Sequence, residues 1–378
     1  MTRKTRSVNA GASRLRIIAA LAERGPLSRS ELASLSGIGA ATVGTQVRRL
    51  LHIGLVREGE PHVVGTGRPR VPIELLDHAG LIGVSLEPTQ VVAVVTTLSG
   101  KIVADHRVPF DPALRGVAPI AEAVRSVMAE AELDECLAVG VSLSGVVDAH
   151  HDAVLVSVVL NWHDKPIGSM ISAELGLPVY VENDVLALAS RELSFASLAR
   201  DESFLLVSLG AGVGMAIVTG RQVFRGGDTS STEFGHICVQ PGGDPCRCGS
   251  IGCLQTVAGL EELIAAAPLS SSTPRTLDAL AAAVNDSDAV RDYLHGVGLI
   301  LGRAIGGATT LLGIRTVLIT GETTQLWPYL TDGVDQALRE HSTTLRSGAR
   351  LSPLTWSDTA AAAGAAGLAL ARALDSIA

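Results

Sequence analysis

Val207-Ser208-Leu209-Gly210-Ala211-Gly212-Val213-Gly214 leads into an apolar segment at 215–218, and then into Thr219-Gly220-Arg221 and a further extended stretch. Apolar runs separated by small-residue turns read as strand, turn, strand, turn, strand. The same plan stands earlier in the chain. Gly83-Val84-Ser85-Leu86-Glu87-Pro88-Thr89 is followed by Val91-Val92-Ala93-Val94-Val95, then by Ser99-Gly100-Lys101 and another strand. Two copies of one unit, separated by alternating strand and helix patterns, imply two similar α/β lobes.

Working outward, 139–147 and 178–181 read as buried strands of the first lobe, and 120–132 and 185–193 as helices. The stretches 261–283, 289–312 and 359–374 read as largely helical. Arg315-Thr316-Val317-Leu318-Ile319-Thr320-Gly321 is a strand running into a glycine turn. With 378 residues, 47% apolar and 18% charged, the chain can bury a large core, which excludes wholesale disorder. No uncharged run reaches the roughly 20 residues of a membrane span. The longest, 204–220, is broken by Ser, Thr and Gly. The N-terminus is basic without an apolar signal core, so a cytoplasmic location and no membrane partner are expected. Lys occurs only at Lys4, Lys101 and Lys165, so nearly all positive charge is Arg.

Charge is unevenly spread. Residues 1–80 hold twelve Lys/Arg and six Asp/Glu, a net of +6; the rest hold 18 and 32, a net of −14, returning the overall −8. A basic head on an acidic body suits nucleic-acid binding, although a basic tail has the same composition. The pattern within the head decides. Leu15, Ile18, Ala19 and Ala22 recur at helical spacing and Gly25-Pro26 ends that helix. Ser28-Arg29-Ser30-Glu31 is a capping box opening a short helix. Ser36-Gly37-Ile38-Gly39 is a turn, and a second helix follows with Val43, Val47 and Leu50 inward. Gly54 stops it. Leu55-Val56-Arg57 then reads as a strand, and 58–67 as a hairpin tip.

That order is a winged helix-turn-helix, whose last helix enters the major groove. Thr42, Thr45, Gln46, Arg48 and Arg49 are then expected to face outward toward operator DNA. Gln pairs with adenine and Thr contacts a base or a thymine methyl, while the two Arg suit phosphates. Arg68 and Arg70, on the extended Gly67-Arg68-Pro69-Arg70, suit a narrow minor groove. The alternative is a small bundle for protein contacts with an Arg-rich linker.

His236, Cys246, Cys248 and Cys253 fall in the order His-x9-Cys-x-Cys-x4-Cys. Cys₃His is an accepted tetrahedral zinc set, and with no position left for water the metal reads as structural Zn²⁺. Unliganded buried cysteines around a core histidine are the alternative. Cys238 and Cys136 lie outside the pattern and are expected in the core.

Two lobes with a cleft between them are the plan of the actin-like sugar kinases. With the head added, the chain resembles transcriptional regulators of the ROK family (repressors, open reading frames and kinases), of the xylose- and N-acetylglucosamine-repressor type. The resemblance covers nearly the whole chain. Its most specific part is Glu233-Phe234-Gly235-His236 followed by Cys246-Arg247-Cys248-Gly249-Ser250-Ile251-Gly252-Cys253-Leu254, which is similar to the family's zinc loop. It implies a winged helix-turn-helix at 1–80 and a two-lobed actin-like (sugar-kinase/RNase H-like) domain at 81–378. The lobes are then 81–195 with a C-terminal helix at 359–378, and 196–358. A homodimer or homotetramer is implied as well.

Asn183-Asp184 follows the strand Val179-Tyr180-Val181, and the C-terminal end of a strand is where α/β folds place ligands. The resemblance implies that Asn183 and Asp184 hold sugar hydroxyls, Asp being the proton-accepting base in the kinases. Read alone, Asp184 also suits a helix N-cap. Glu233 and His236 resemble the next sugar contacts, His236 using one ring nitrogen for zinc and the other for sugar. Gln255 is the last ligand position; the family usually has Glu there, so sugar preference is open. The polar segment Asp228-Thr229-Ser230-Ser231-Thr232 departs further, and Ser144-Gly145 stands where Pro-Gly is usual.

Family kinases carry an Asp-x-Gly-Gly-Thr phosphate loop in the first turn. Here Ser85-Leu86-Glu87-Pro88-Thr89 lacks the Asp, adds the negative Glu87 and loses an N–H at Pro88. The sequence therefore points to a DNA-binding repressor that senses a sugar or sugar derivative and is no enzyme. Two rivals stand beside it. One is a sugar kinase with an added head. The other is a ligand-independent DNA-binding protein whose body is a dimerisation scaffold.

Overall fold

A computed structural model of the chain describes residues 2–61, 70–76, 80–113, 116–133, 135–195, 203–226, 233–340 and 348–377, with side chains from residue 10 onward. It divides into two compact units, residues 1–200 with 359–378, and residues 201–358.

The first unit begins with α1 (Thr2–Arg24), which buries Ile17, Ile18 and Leu21 and ends at Gly25-Pro26. A two-residue strand β1 (Leu27–Ser28) leads into α2 (Arg29–Ser36). The capping box is formed: Glu31 donates its N–H to the Ser28 hydroxyl at 3.4 Å, and the Ser28 N–H is accepted by the Glu31 carboxylate at 2.8 Å. Helix α3 (Ala40–His52) buries Val43, Val47 and Leu50, as their spacing requires. Strand β2 (Val56–Glu58) pairs antiparallel with β3 (Pro72–Leu75), which also pairs with β1, giving the order β1-β3-β2. The three helices and the strand at Val56–Glu58 are those expected of the head; β1 and β3 are additional. The wing tip lies outside the described residues.

The first lobe follows. Strands β4 (Gly80–Leu86), β5 (Gln90–Thr96) and β6 (Ile102–Pro109) form an antiparallel meander. After α4 (Ala118–Glu130), β7 (Cys136–Leu143) pairs parallel with β4. A small antiparallel sheet is made by β8 (Val146–Val147), β9 (Val154–Ser157) and β10 (Trp162–Lys165). Its pairings had no signal in the sequence reading. Helix α5 (Ile167–Leu175) leads to β11 (Val179–Asn183), parallel to β7, and to α6 (Asp184–Phe195). The five-stranded order is β11-β7-β4-β5-β6.

One side of this sheet packs on Ile120, Val124 and Val127 of α4 and Ile171 of α5. The C-terminal helix (Ala360–Ser376) packs against the strands in the opposite way, backbone to backbone. A Cβ added at Gly83 would lie 1.8 Å from the Ala362 carbonyl oxygen, and one at Gly140 1.8 Å from that of Ala365. Glycine on the strands and alanine or glycine on the helix are what let the two approach so closely.

The second unit repeats the plan. Strands β12 (Phe204–Leu209), β13 (Val213–Thr219) and β14 (Gln222–Val223) form an antiparallel meander. Helices α7 (Gln255–Ala258), α8 (Leu260–Ala266), α9 (Leu277–Ala283) and α10 (Asp288–Leu312) follow. Strand β15 (Thr316–Thr320) pairs parallel with β12. After α11 (Trp327–Glu340), β16 (Arg350–Pro353) pairs parallel with β15. The order β14-β13-β12-β15-β16 is the first lobe's order strand for strand. The helical stretch expected at 261–283 is two helices, because Pro268, Pro274 and a Ser/Thr run interrupt it at 267–276. Among the described residues, no helix is long and apolar enough to cross a membrane.

Candidate functional site

The metal-binding candidates converge. Ligand atoms of His236, Cys246, Cys248 and Cys253 all lie within 4.8 Å of one another. His236 Nδ1 is 3.5 Å from Cys246 Sγ, and Cys248 Sγ is 3.7 Å from Cys253 Sγ. A tetrahedron with metal–sulfur bonds of about 2.3 Å and metal–nitrogen bonds of about 2.0–2.1 Å has edges of roughly 3.6–3.8 Å, so the four residues fit zinc. The loop closes through Cys246 N–H to Ser250 O at 2.8 Å and Gly252 N–H to Asp244 O at 2.9 Å. Gly252 has φ +71°, and a Cβ there would stand 1.8 Å from the Gln240 carbonyl oxygen. Backbone N–H donation from Ser250 lowers the Cys248 thiol to about 6, while burial pushes Cys253 up to about 12. Cys238, expected in the core, is exposed: it bridges the backbone of Cys253 at the loop's edge, where little covers its side chain. Cys136 is partly buried.

With Nδ1 turned to the cysteines, His236 Nε2 lies 3.8 Å from Glu233 Oε2. Glu233 is exposed, just before the short turn of 3₁₀-helix Phe234–His236. Gln255, expected as a ligand contact, is engaged within its own unit. Its Oε1 accepts the Val213 N–H at 2.9 Å, and its Nε2 donates to Ala211 O at 3.0 Å and to Glu262 Oε2 at 3.2 Å. It bolts the exit of the cysteine loop to the glycine-rich turn. Glu322, just after β15, accepts the Ala211 N–H at 3.1 Å. Two backbone donors that a phosphate could use are thus already taken, one of them by a carboxylate. Sequence reasoning missed Glu322, whose distance in the chain from the turn, 111 residues, hides the contact.

On the first unit, Asn183 and Asp184 sit where β11 meets α6. The first-turn N–H groups of Val185 and Leu186 are accepted by Asn183 Oδ1 at 3.0 and 3.3 Å, so Asn183 carries the capping role considered for Asp184. Its Nδ2 donates to Gly145 O at 3.1 Å. Asp184 Oδ1 accepts the Val185 N–H at 2.8 Å. Beneath them lies a buried pair that the sequence reading passed over: His151 Nδ1 is 3.4 Å from Glu182 Oε2, and Glu182 Oε1 accepts the Asn183 N–H at 2.9 Å. A charged residue at an inward strand position was the available signal. The first-lobe turn shows Glu87 accepting from Gln90 Nε2 at 2.6 Å.

On α3, Thr42 and Arg48 are exposed and Thr45 and Arg49 half-buried. Gln46 does not face outward as expected. It is 6% exposed and completes the inward stripe Val43, Gln46, Val47, Leu50 at i, i+3, i+4, i+7. Arg70 pairs with Glu31 at 3.3 Å in an exposed bridge, worth little and readily exchanged. Arg68 and the polar segment 228–232 lie outside the described residues.

A family model described as "ROK family" matches residues 81–372. The putative xylose repressor of Caldicellulosiruptor sp. (strain Rt8B.4) is 30% identical over 67% of this chain, which spans 65% of that protein. The DNA-binding transcriptional repressor Mlc of Escherichia coli (strain K12) is 26% identical over 89% of this chain and 87% of its own. A glucokinase of Streptomyces coelicolor is 32% identical over a shorter stretch, 53% of this chain and 63% of that enzyme. The crystal structure of a ROK family transcriptional regulator, a homolog of Escherichia coli Mlc, superposes with TM-score 0.80 at 24% identity, covering 98% and 97% of the two chains.

Proposed function

The chain belongs to the ROK family, and from that premise we propose that it is a transcriptional repressor whose winged helix-turn-helix head binds operator DNA under the control of a sugar or sugar-derived effector. The observation that carries this reading is the head itself. Three helices and a three-stranded sheet present Thr42 and Arg48 on the exposed face of the last helix. That is the presentation major-groove recognition needs, with Arg49, Arg68 and Arg70 supplying phosphate and minor-groove contacts. Asn183, Asp184, Glu233 and His236 are the groups proposed to take the effector's hydroxyls. Gln255 acts behind them, through the glycine-rich turn. Zn²⁺ held by His236, Cys246, Cys248 and Cys253 keeps the loop that carries His236 in shape. An effector acts only by binding one arrangement of the protein better than another. The protein acts in the cytoplasm as a homodimer or homotetramer.

The kinase reading rests on Asp184. Against it stand Glu87 and Pro88 in the first turn, and Glu322 and Gln255 on the N–H groups of the second. Selection of duplexes from a random DNA pool by the zinc-loaded protein tests the proposal, followed by thermal shifts with sugars, amino sugars and sugar phosphates. We expect a defined duplex, and a hit worth about 2.7 kcal/mol at a hundred times Kd. The same hit should change duplex affinity, and Asp184→Ala should abolish that response with DNA binding intact. Absence of any selected duplex, or appreciable ATP-dependent sugar phosphorylation, overturns the proposal.

A further inference from the structure

Arg14, in the middle of α1, is 1% exposed, among the most deeply buried charged side chains described. Its Nε donates to Gln46 Oε1 at 2.8 Å. Its Nη1 donates to the backbone oxygens of Leu374 and Ile377 at 2.5 and 2.9 Å. Nη2 is buried without a hydrogen-bond partner among the described residues. Three helices therefore meet at one guanidinium: α1 that carries it, α3 through Gln46, and the C-terminal helix through its last carbonyls. Those carbonyls have no partner within their own helix, and a cation is favoured at that end of the helix dipole. The planar fork of Arg reaches acceptors on two elements at once, which a Lys ammonium does less well.

The charges around the site are mixed. Arg49 on α3 opposes the guanidinium, and Asp375 on the C-terminal helix favours it. Asp375 also presses on α1, since a Cβ at Gly11 would lie 1.7 Å from its Oδ1. Around the polar centre, Ile17, Ile18 and Leu21 of α1 share one apolar cluster with Ala366, Ala369, Leu370 and Leu374. The C-terminal helix is in turn fixed to α6. A Cβ at Gly364 would lie 2.7 Å from the Ala187 backbone, and Ser194 Oγ donates to Gly367 O at 3.0 Å.

We propose that Arg14 is a positioning residue: it tethers the recognition helix, through Gln46, to the C-terminal helix of the body and so sets where that helix stands. The proposal rests on the DNA-binding reading for its purpose, but its geometry does not. Directional hydrogen bonds add an orientation that non-directional apolar burial does not itself specify. Nη1 shared between two carbonyls, with Nε bonded to Gln46, fixes one rotation of α3 about the C-terminal helix. It also accounts for a Gln in the inward stripe of α3, where an aliphatic residue would pack as well.

The test is a distance distribution in the full chain without DNA or effector. Spin labels are placed through non-native amino acids at the exposed positions Thr42 on α3 and Glu122 on α4, leaving the cysteines untouched. A second pair at Glu122 and Ala173 monitors the body. Wild type should give one narrow Thr42–Glu122 distance. Gln46→Leu and Arg14→Lys should each at least double its width, with the Glu122–Ala173 width unchanged and amide protection from Val43 to Leu50 retained. Unchanged widths in both variants overturn the proposal. So does broadening that comes only with lost protection in α3, or global unfolding by Gln46→Leu, because either makes the contact part of folding. A narrow wild-type distance that widens as expected in a protein that selects no duplex would uphold the tether and sink the regulator reading alone.

Discussion

The two lobes share one strand order and differ in how each closes its first turn. In the first lobe, the turn between β4 and β5 carries Glu87 and Pro88, so one backbone donor is missing, that of Glu87 is taken by Gln90 O, and a negative charge is added. In the second, the glycine-rich turn between β12 and β13 keeps its donors, but Glu322 and Gln255 occupy those of Ala211 and Val213. A turn can thus look intact in sequence while being filled in space. The lobes also differ in support. The first is closed by a helix laid backbone to backbone on its sheet. The second is braced by the loop that gathers His236, Cys246, Cys248 and Cys253, joined through Gln255 to its turn.

The largest effect that could break this comparison comes from metal removal. Structural zinc contributes on the order of 10 kcal/mol to small zinc modules. Chelation should therefore melt the second unit while the first keeps its transition, as read by calorimetry with and without chelator. Loss of both together would show that the supports are not separate. Next is Gly140→Val, which drives a side chain into the Ala365 carbonyl. It should cost about 3 kcal/mol or more, because backbone must move, and it should spare the second unit's transition. A smaller effect is confined to alkaline pH. Burial raises the Cys136 thiol from 9.0 to about 11. The unfolded chain loses that proton first, so the stabilisation is whole below pH 9 and is lost as pH climbs through about 11. Cys136→Ala should remove at most about 2–3 kcal/mol of that alkaline decline in urea titrations of the first unit. Smallest is Glu322→Ala, expected to cost about 1 kcal/mol through its hydrogen bond to Ala211. No ATP-dependent turnover is expected of this variant, since Glu87 and Pro88 still disable the first turn; if it appeared, the second turn alone had been withholding it.

Much of this was legible in the chain. The repeat of strand and turn and the capping box at Ser28–Glu31 are local patterns that formed as read, and the Cys₃His residues come together as their spacing suggested. What escaped depends on partners far away in sequence. Gln46 has the chemistry of a base-reading residue, but its i+3 position from Val43 and its bond to Arg14 turn it inward. Gln255 reads in the sequence only as a ligand contact; that both ends of its amide also hold the turn at 211–213 was not legible. Cys238 was expected inside because cysteine is usually buried; beside a loop built for three other sulfurs, it is left uncovered. The pairing of β8 to β10 is set by tertiary packing rather than by periodicity, whereas α11 carries a helical stripe, Trp327, Leu330, Val334 and Ala337, that went unread.

The close seat of the C-terminal helix has a consequence for the order in which the protein is made. Of the strands it covers, β4, β5 and β7 end by residue 143 and β11 by residue 183, but the helix spans Ala360–Ser376 and is synthesised only after the whole of 201–358. During translation the second unit can fold as a contiguous segment while the first waits with one face of its sheet bare. That face includes the apolar Val92 and Val94, which meet Ala362 and Ala363 only at the end. A nascent chain of this kind presents sticky surface for the time it takes to add more than 200 residues. Its dependence on chaperones should therefore fall on the first lobe, and a circular permutant that places the C-terminal helix before β4 should relieve it.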